Sequence, residues 1–149
     1  MLRERLQTLG IEIPPLAPPL ASYVPAKRHA DVLYISGQLP LLAGNLMMTG
    51  PMESGRSLDD AQNAMARCFV NGIAAAGTLV DLNEIKGVLK LGAFVASEPG
   101  FADQHKVANG ASDLAREIFG DSGIHARFAV GVAALPLNAT VELEIHFLV

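Results

Sequence analysis

The stretch from Ile124 to Val149 reads IHARFAVGVAALPLNATVELEIHFLV, and it decides the fold that the sequence predicts. Apolar residues alternate with other residues on both sides of a short break, and alternation with a period of two is typical of β-strands. The break, from Leu135 to Asn138, contains a proline and an asparagine, which favour turns. The pattern therefore predicts a β-hairpin in this stretch.

The register of this hairpin follows from its apolar residues. An even-numbered turn with Leu137-Asn138 at its tip keeps one face fully apolar, whereas an odd turn would place Phe128 and Val130 beside two glutamates. We therefore expect the even register. The opposite face then holds Arg127, very small residues and the polar residues of the second strand, which leaves room for a ligand or another subunit. The expected pairs are Ala133 with Glu142, Gly131 with Glu144, and Ala129 with His146.

Composition indicates a single domain that is apolar for a soluble monomer. The 149 residues suffice for a substantial core, half of them are hydrophobic, and the mean hydropathy is +0.32. Such a surplus of apolar surface favours an oligomer. The net charge of −4 argues against nucleic-acid binding, which requires clustered Lys and Arg.

The same composition predicts a cytoplasmic location. We find no apolar run near the roughly 20 residues that span a bilayer. The segment MLRERLQTLGIEIPP lacks the continuous apolar core of a signal peptide. The single cysteine, Cys68, excludes an intrachain disulfide and fits a reducing compartment.

The remaining periodicities predict an α+β domain over residues 1–149, with one mixed sheet and both long helices on one face. Ser57 is expected to cap the first long helix. The apolar run from Val32 to Ile35 is of the kind that is buried on both faces of a sheet. The predicted elements are a short helix at 2–9, a proline-rich arm at 11–19, strands at 23–26, 31–38 and 46–49, a helix at 57–76, a strand at 85–97 and a helix at 101–119.

Apart from Arg127, few residues carry a chemical signal of their own. The chain has no glycine-rich phosphate loop and no Cys/His spacing typical of a metal site, so we expect neither a metal nor a cofactor. Cys68 is expected to be buried in its helix. His146 is expected to bond to Glu144 or to solvent, and His125 to lie in the loop that enters a strand.

Arg127 allows two interpretations. It begins a strand among apolar and small residues, where an arginine needs a partner. One interpretation is an ion pair with Glu142 or Glu144. The other is a bidentate clamp for a small carboxylate, which a planar guanidinium suits. Both hold if a glutamate positions the arginine and a ligand takes its free edge.

Taken together, these stretches resemble the YjgF/RidA family, also known as the endoribonuclease L-PSP family, over roughly residues 19–149. The N-terminal helix resembles a longer branch of that family. The motifs that carry the resemblance are Tyr23 after the arm, Tyr34-Ile35-Ser36-Gly37-Gln38-Leu39-Pro40, Ala61-Gln62 with Asn71, Ala75-Ala76-Gly77, Arg127, Val132-Ala133-x-Leu135-Pro136 and Val141-Glu142-Leu143-Glu144-Ile145.

The resemblance implies a chorismate-mutase-like fold and a homotrimer with clefts between subunits. It also implies hydrolysis of reactive 2-imino acids to 2-keto acids and ammonia, without a metal or cofactor. By position, Arg127 would bind the substrate carboxylate and Glu142 would position the water or the imine. The other residues that the resemblance places in the pocket are Tyr23, Ser36, Gly37, Asn109 and Ala129.

Two positions depart from the family pattern. His125 replaces a proline, which could change the polarity of the pocket, and Ala129 stands where the family often has a cysteine. Two alternatives to imine hydrolysis therefore stay open. They are a non-catalytic binder of small carboxylates on the same scaffold and an endoribonuclease.

Overall fold

A computed structural model describes residues 1–16 and 21–149 of the chain. The predicted N-terminal helix forms as α1, Leu2–Thr8, and it buries Leu2 and Leu6 in the core. The first part of the proline-rich arm, residues 11–16, has no regular secondary structure, and its residues 17–19 lie outside the described part. Because Leu2 and Leu6 of α1 belong to the same core as the rest of the chain, α1 is part of the domain.

A five-stranded mixed sheet forms the centre of the fold. Its strand order is β1-β2-β7-β5-β6, and all neighbours are antiparallel except β5 and β6. The predicted first strand was placed too early, since only its last residue belongs to β1. The predicted strand at 46–49 is also wrong in extent, because β4 covers only Asn45–Leu46. This strand pairs with β3 outside the main sheet. The strands are β1 (Ala26–His29), β2 (Val32–Gln38), β3 (Leu41–Leu42), β4 (Asn45–Leu46), β5 (Gly87–Ala96), β6 (Ala126–Val132) and β7 (Val141–Leu148).

Two long helices, α2 (Leu58–Ala76) and α3 (Gln104–Phe119), pack on one face of the sheet, which we call the helix face. This arrangement confirms the predicted α+β fold. The Ser57 hydroxyl accepts a hydrogen bond from the backbone N–H of Asp60, at 3.1 Å, and so caps α2 as expected. None of the helices in the described ranges is long and apolar enough to cross a bilayer.

The predicted hairpin is wrong. Strands β6 and β7 are antiparallel in direction but do not pair, because β5 lies between them. The break between them does form a tight turn, a short 3-10 segment at Pro136–Asn138 in which Leu137 and Asn138 have positive φ. The chain then crosses past the end of β5 to reach its other side.

The division of each strand into two faces is confirmed, but the predicted match between the faces of the two strands is wrong. Across β5, Val130 aligns with Phe94 and Glu142, and Phe128 aligns with Gly92 and Glu144. The apolar side chains of β6 therefore lie on the face of the two glutamates. This face is opposite the helix face, no described helix covers it, and we call it the open face.

The helix face of the same strands is apolar apart from one residue. Leu143 and Ile145 are fully buried there, whereas Arg127 lies at the edge, aligned with Leu91 and Ile145. The expectation that β2 is buried on both faces is wrong as well. Its Leu33 is buried on the helix face, but Tyr34 lies on the open face and is 43% exposed.

Gly110 sets the distance between α2 and α3. A Cβ at this position would overlap the backbone of Gln62 in α2, which has no side-chain rotation available to make room. The Gln62 side chain also donates to the Lys106 carbonyl at 2.8 Å. The close crossing therefore fixes the position of α3, and with it the residues that α3 presents to β6.

Gly110→Ala is expected to destabilise the protein, although alanine favours helices by about 1 kcal/mol over glycine. Forcing the helices apart costs roughly 1–3 kcal/mol, which corresponds to a fall in Tm of roughly 3–10 °C. Thermal unfolding followed by circular dichroism measures this shift. Asp113→Ala, on an exposed position of the same helix, is the control and should leave Tm nearly unchanged. A higher Tm in Gly110→Ala would contradict the close crossing.

Candidate functional site

Arg127 is held by three acceptors from α3. Its Nη1 donates to Asn109 Oδ1 at 2.9 Å and to Ser112 Oγ at 3.0 Å, and its Nη2 donates to the His105 carbonyl at 3.3 Å. The spacing of these residues, four and then three positions, places them on one side of a helix. A single face of α3 therefore orients the guanidinium.

The guanidinium keeps two donors for a ligand. Arginine has five N–H donors, and the three contacts above leave the Nε hydrogen and one Nη2 hydrogen. The residue is exposed, and no carboxylate of the described ranges lies within ion-pair distance of it. The interpretation of Arg127 as the ion-pair partner of Glu142 or Glu144 is therefore wrong, because both glutamates lie on the opposite face of the sheet. The remaining donors suit a small carboxylate.

Ser112 and the His105 carbonyl were not among the predicted site residues. Ser112 also contacts the ring of His125, with 3.0 Å between Ser112 Oγ and Nε2. His125 lies just before β6, as expected, and its Nδ1 is 2.6 Å from the Gly123 carbonyl. Ser112 lies three positions after Asn109 on the same helix face, and this spacing is the sequence signal that could have identified it.

A second group of predicted residues meets on the open face. A Cβ at Gly37 would overlap the Glu142 carboxylate, so the glycine makes room for it. Gly37 lies at an irregularity in the pairing of β2 with β7, between Ile35 and Gln38. Glu142 is half-buried, and this burial raises the pKa of its carboxyl above the ordinary value. Because no described donor offsets the burial, the carboxylate can accept from a ligand or a water.

Ser36 ties the segment around Tyr23 to this second group. The Ser36 hydroxyl donates to the Val24 carbonyl at 2.7 Å, and its N–H donates to the Pro25 carbonyl at 3.0 Å. A shallow cavity of about 430 Å³ is lined by Tyr23, Tyr34 and Ser36 among others, with Lys27 at its side. Tyr23 and Ser36 thus line one cavity, and Gly37, the next residue of β2, lies against Glu142.

Asn71 supports the segment that follows Gly37. It is buried in α2, and its side-chain amide donates to the carbonyls of Leu39 and Leu41, both at 3.0 Å. Both hydrogens of the amide are thus used inside the protein. Asn71 therefore has a structural role in shaping the loop after β2.

Within one chain, the residues around Arg127 and those around Glu142 lie on opposite faces of the sheet. Arg127 and Asn109 lie on the helix face at the β6 edge, whereas Glu142 and Gly37 lie on the open face, with β5 between β6 and β7. Ala129 shares the face of Arg127 but packs against the core. The predicted residues therefore form two separate groups within a single copy of the chain.

Two other predictions concern residues outside these two groups. His146 bonds to Glu144, with 3.0 Å between Nε2 and Oε1, which confirms that pairing. Its ring also lies 4.7 Å from that of Tyr34. Cys68 is fully buried, as predicted, and burial holds the pKa of its thiol well above the usual range. It is therefore not a reactive thiol.

Comparison with known proteins gives the family. A family profile described as YjgF/chorismate mutase-like, whose description also carries the word endoribonuclease, matches residues 3–147. Protein TCP17 of Trypanosoma cruzi is 42% identical over 141 residues, which are 93% of this chain and 88% of that protein. A Dermatophagoides farinae protein named 2-iminobutanoate/2-iminopropanoate deaminase is 33% identical over 132 residues, 87% of this chain and 88% of the relative.

A solved structure agrees with the fold. The crystal structure of protein Atu1372 from Agrobacterium tumefaciens, described there as of unknown function, is 41% identical to this chain. It superposes with a TM-score of 0.86 over 99% of this chain and 91% of that one. The expected family and its chorismate-mutase-like fold are thereby confirmed. The chain belongs to the YjgF/chorismate mutase-like family.

Proposed function

We propose that this protein hydrolyses reactive 2-imino acids to 2-keto acids and ammonia. The observation that carries the proposal is the fixed guanidinium of Arg127, which has two free N–H donors and no carboxylate partner in the described ranges. Every 2-imino acid carries a carboxylate next to the reacting carbon. The similarity to a protein named as an imine deaminase supports this substrate class.

The chemistry needs positioning rather than strong activation. A protonated imine is already electrophilic at its carbon, so the protein has to hold the carboxylate and place one water. In our proposal Glu142 takes a proton from that water as its oxygen bonds to the imine carbon. The proton then passes to the nitrogen. Glu142 next takes the proton of the new hydroxyl group as the C=O bond forms and the C–N bond breaks, and it passes this proton to the departing ammonia, which leaves as ammonium beside the 2-keto acid. The raised pKa of Glu142 brings this base closer to neutral pH, where proton transfer is more efficient.

We place the site between two copies of the chain. The residues around Arg127 and those around Glu142 lie on opposite faces of one sheet. A substrate that contacts both Arg127 and Glu142 therefore requires a second subunit. A homotrimer, as the resemblance implies, would form three such clefts. In each cleft Arg127 and Asn109 of one subunit would meet Tyr23, Ser36, Gly37 and Glu142 of the next.

An assay of imine hydrolysis tests the proposed activity. An amino-acid oxidase generates the imine in situ from each of a panel of amino acids, and semicarbazide traps what remains. The purified protein is expected to lower the amount of trapped imine in proportion to its concentration. No effect with any amino acid, combined with thermal stabilisation by a keto acid, would instead support the carboxylate binder.

The location of the site is tested by mixing inactive variants. Arg127→Ala and Glu142→Gln subunits, assembled together in equal amounts, are expected to regain about a quarter of the wild-type activity. In random assembly roughly one cleft in four combines an intact Arg127 with an intact Glu142. If both residues acted within one chain, the mixture would stay as inactive as its components.

The ribonuclease alternative has less support. The family description carries the word endoribonuclease, but the net charge of −4 does not favour binding to a polyanion. RNA binding that weakens steeply with salt would support it. We propose a cytoplasmic location, which agrees with one buried and unreactive cysteine.

A further inference from the structure

The ring of His125 has a defined tautomer. Its Nδ1 is 2.6 Å from the Gly123 carbonyl, which can only accept a hydrogen bond, so Nδ1 carries a hydrogen. In the neutral ring Nε2 is then an acceptor. The hydroxyl of Ser112, 3.0 Å away, must therefore donate to it.

Ser112 connects this ring to Arg127. While its hydroxyl hydrogen points to His125, its oxygen accepts from Nη1 of Arg127 at 3.0 Å. The hydrogen bonds therefore run in one direction, from Arg127 through Ser112 to His125 and on to the Gly123 carbonyl. The connection depends on Nε2 of His125, which is the acceptor at its end.

When His125 gains a second proton, the hydrogen bond between its ring and Ser112 reverses direction. Nε2 then donates to Ser112 Oγ, which still has a lone pair for Arg127 but must turn its own hydrogen elsewhere. The positive charge of the imidazolium then lies two hydrogen bonds from the guanidinium. An anion bound to Arg127 is attracted by this second positive charge as well.

We propose that His125, which Ser112 holds beside Arg127, makes Arg127 bind carboxylates more tightly when His125 gains its second proton. This inference rests on the proposed role of Arg127 as the carboxylate clamp. Binding and protonation are linked reciprocally, so a bound anion in turn makes the ring hold its proton to higher pH.

Other charged groups lie on the elements around His125 and Arg127. Their effects on anion binding have to be distinguished from the effect of His125. The elements packed against His125 carry Asp113 and Arg116 on α3, Asp121 in the turn before β6, and Lys90 on β5 beside Ala126. None of them bonds to the ring or to Ser112 among the described contacts. Glu142 would also titrate in the complete cleft, and its protonation would likewise favour an anion.

Binding of pyruvate, a 2-keto acid that the protein does not consume, tests the proposal by calorimetry between pH 5.5 and 8.0. All proteins carry Glu142→Gln, which removes the titration of that carboxylate. In this background the affinity is expected to rise roughly 3–10-fold on acidification. His125→Asn is expected to give a flat profile, because the second charge is lost. Ser112→Ala keeps the charge but removes the hydrogen bond that holds the ring beside Arg127, so it is expected to give a smaller slope. His29→Asn, on the β1 edge, is the matched control and should keep the slope.

Ring nitrogen shifts of His125 by NMR supply a second readout. Saturating pyruvate is expected to shift the titration of the ring to higher pH, and Ser112→Ala should reduce this shift. An unchanged pH slope in His125→Asn, with binding intact, would overturn the role of His125 but not the clamp. No pyruvate binding at any pH would overturn the clamp, and this inference with it.

Discussion

Arg127→Ala is expected to lower kcat/KM for imine hydrolysis by roughly 10²–10³-fold, because two charge-assisted hydrogen bonds to the carboxylate are lost. The guanidinium lies at an exposed edge of the sheet, and its three partners on α3 can bond to water instead. The fold and the oligomeric state should therefore be retained. Steady-state kinetics in the oxidase-coupled assay, with size-exclusion chromatography of each variant, measures both effects.

Two further variants separate shape from charge. Arg127→Lys keeps the cation but loses the planar fork that faces both Asn109 and the ligand, so it should recover less than a tenth of the lost activity. Arg28→Ala removes an exposed arginine that pairs with Glu84 on the surface, at 3.9 Å, and should retain wild-type kinetics. An Arg127→Ala protein with half of the wild-type kcat/KM would show that another group binds the carboxylate.

The helices and most strands could be predicted from the sequence because their signals are local. The cap at Ser57 and the apolar stripes of α2 and α3 depend on residues within a few turns of one another. The alternation in β6 and β7 was also interpreted correctly as strands. Each of these features involves hydrogen bonds or burial within one segment, which periodicity reports directly.

The pairing of the last two strands could not be predicted in the same way. A turn such as Pro136–Asn138 shows that the chain reverses, but it does not show which strand lies alongside. The strand between them, β5, is about 30 residues earlier in the chain. A stronger signal was the sequence β5-α3-β6, since a helix between two strands allows a parallel pair. Gly92, covered by the Phe128 ring, is where that pair packs closely.

The same error inverted the predicted site. With β6 beside β7, Arg127 would face Glu142 and Glu144, and an ion pair is then a natural interpretation. With β5 inserted, the arginine turns to α3 and the glutamates turn to the open face. Asn109 nevertheless lies beside Arg127, and the resemblance could bring these two positions together because it aligns residues without depending on strand pairing.

Glu142→Gln is expected to have opposite effects on activity and stability. Loss of the general base should lower kcat by about 10²-fold or more. The free energy of unfolding should rise at pH 7 and above, because burial raises the pKa of this carboxyl in the folded protein. The folded state then binds the proton more tightly than the unfolded state, so stability falls as the pH rises from the ordinary glutamate value through the raised one. The amide removes that penalty.

Urea unfolding at pH 5, 7 and 8 measures the stability, and the oxidase-coupled assay measures the turnover. The gain in stability should be present at pH 7 and 8 and small at pH 5, where the wild-type carboxyl is closer to its protonated form. Glu144→Gln is the matched control, because it changes the same residue type two positions along the same face, where the carboxylate bonds to His146. It should show neither effect. Because a base must be desolvated to reach an imine, and desolvation is what costs the fold its stability, a stabilised but fully active Glu142→Gln protein would remove Glu142 from the proposed chemistry.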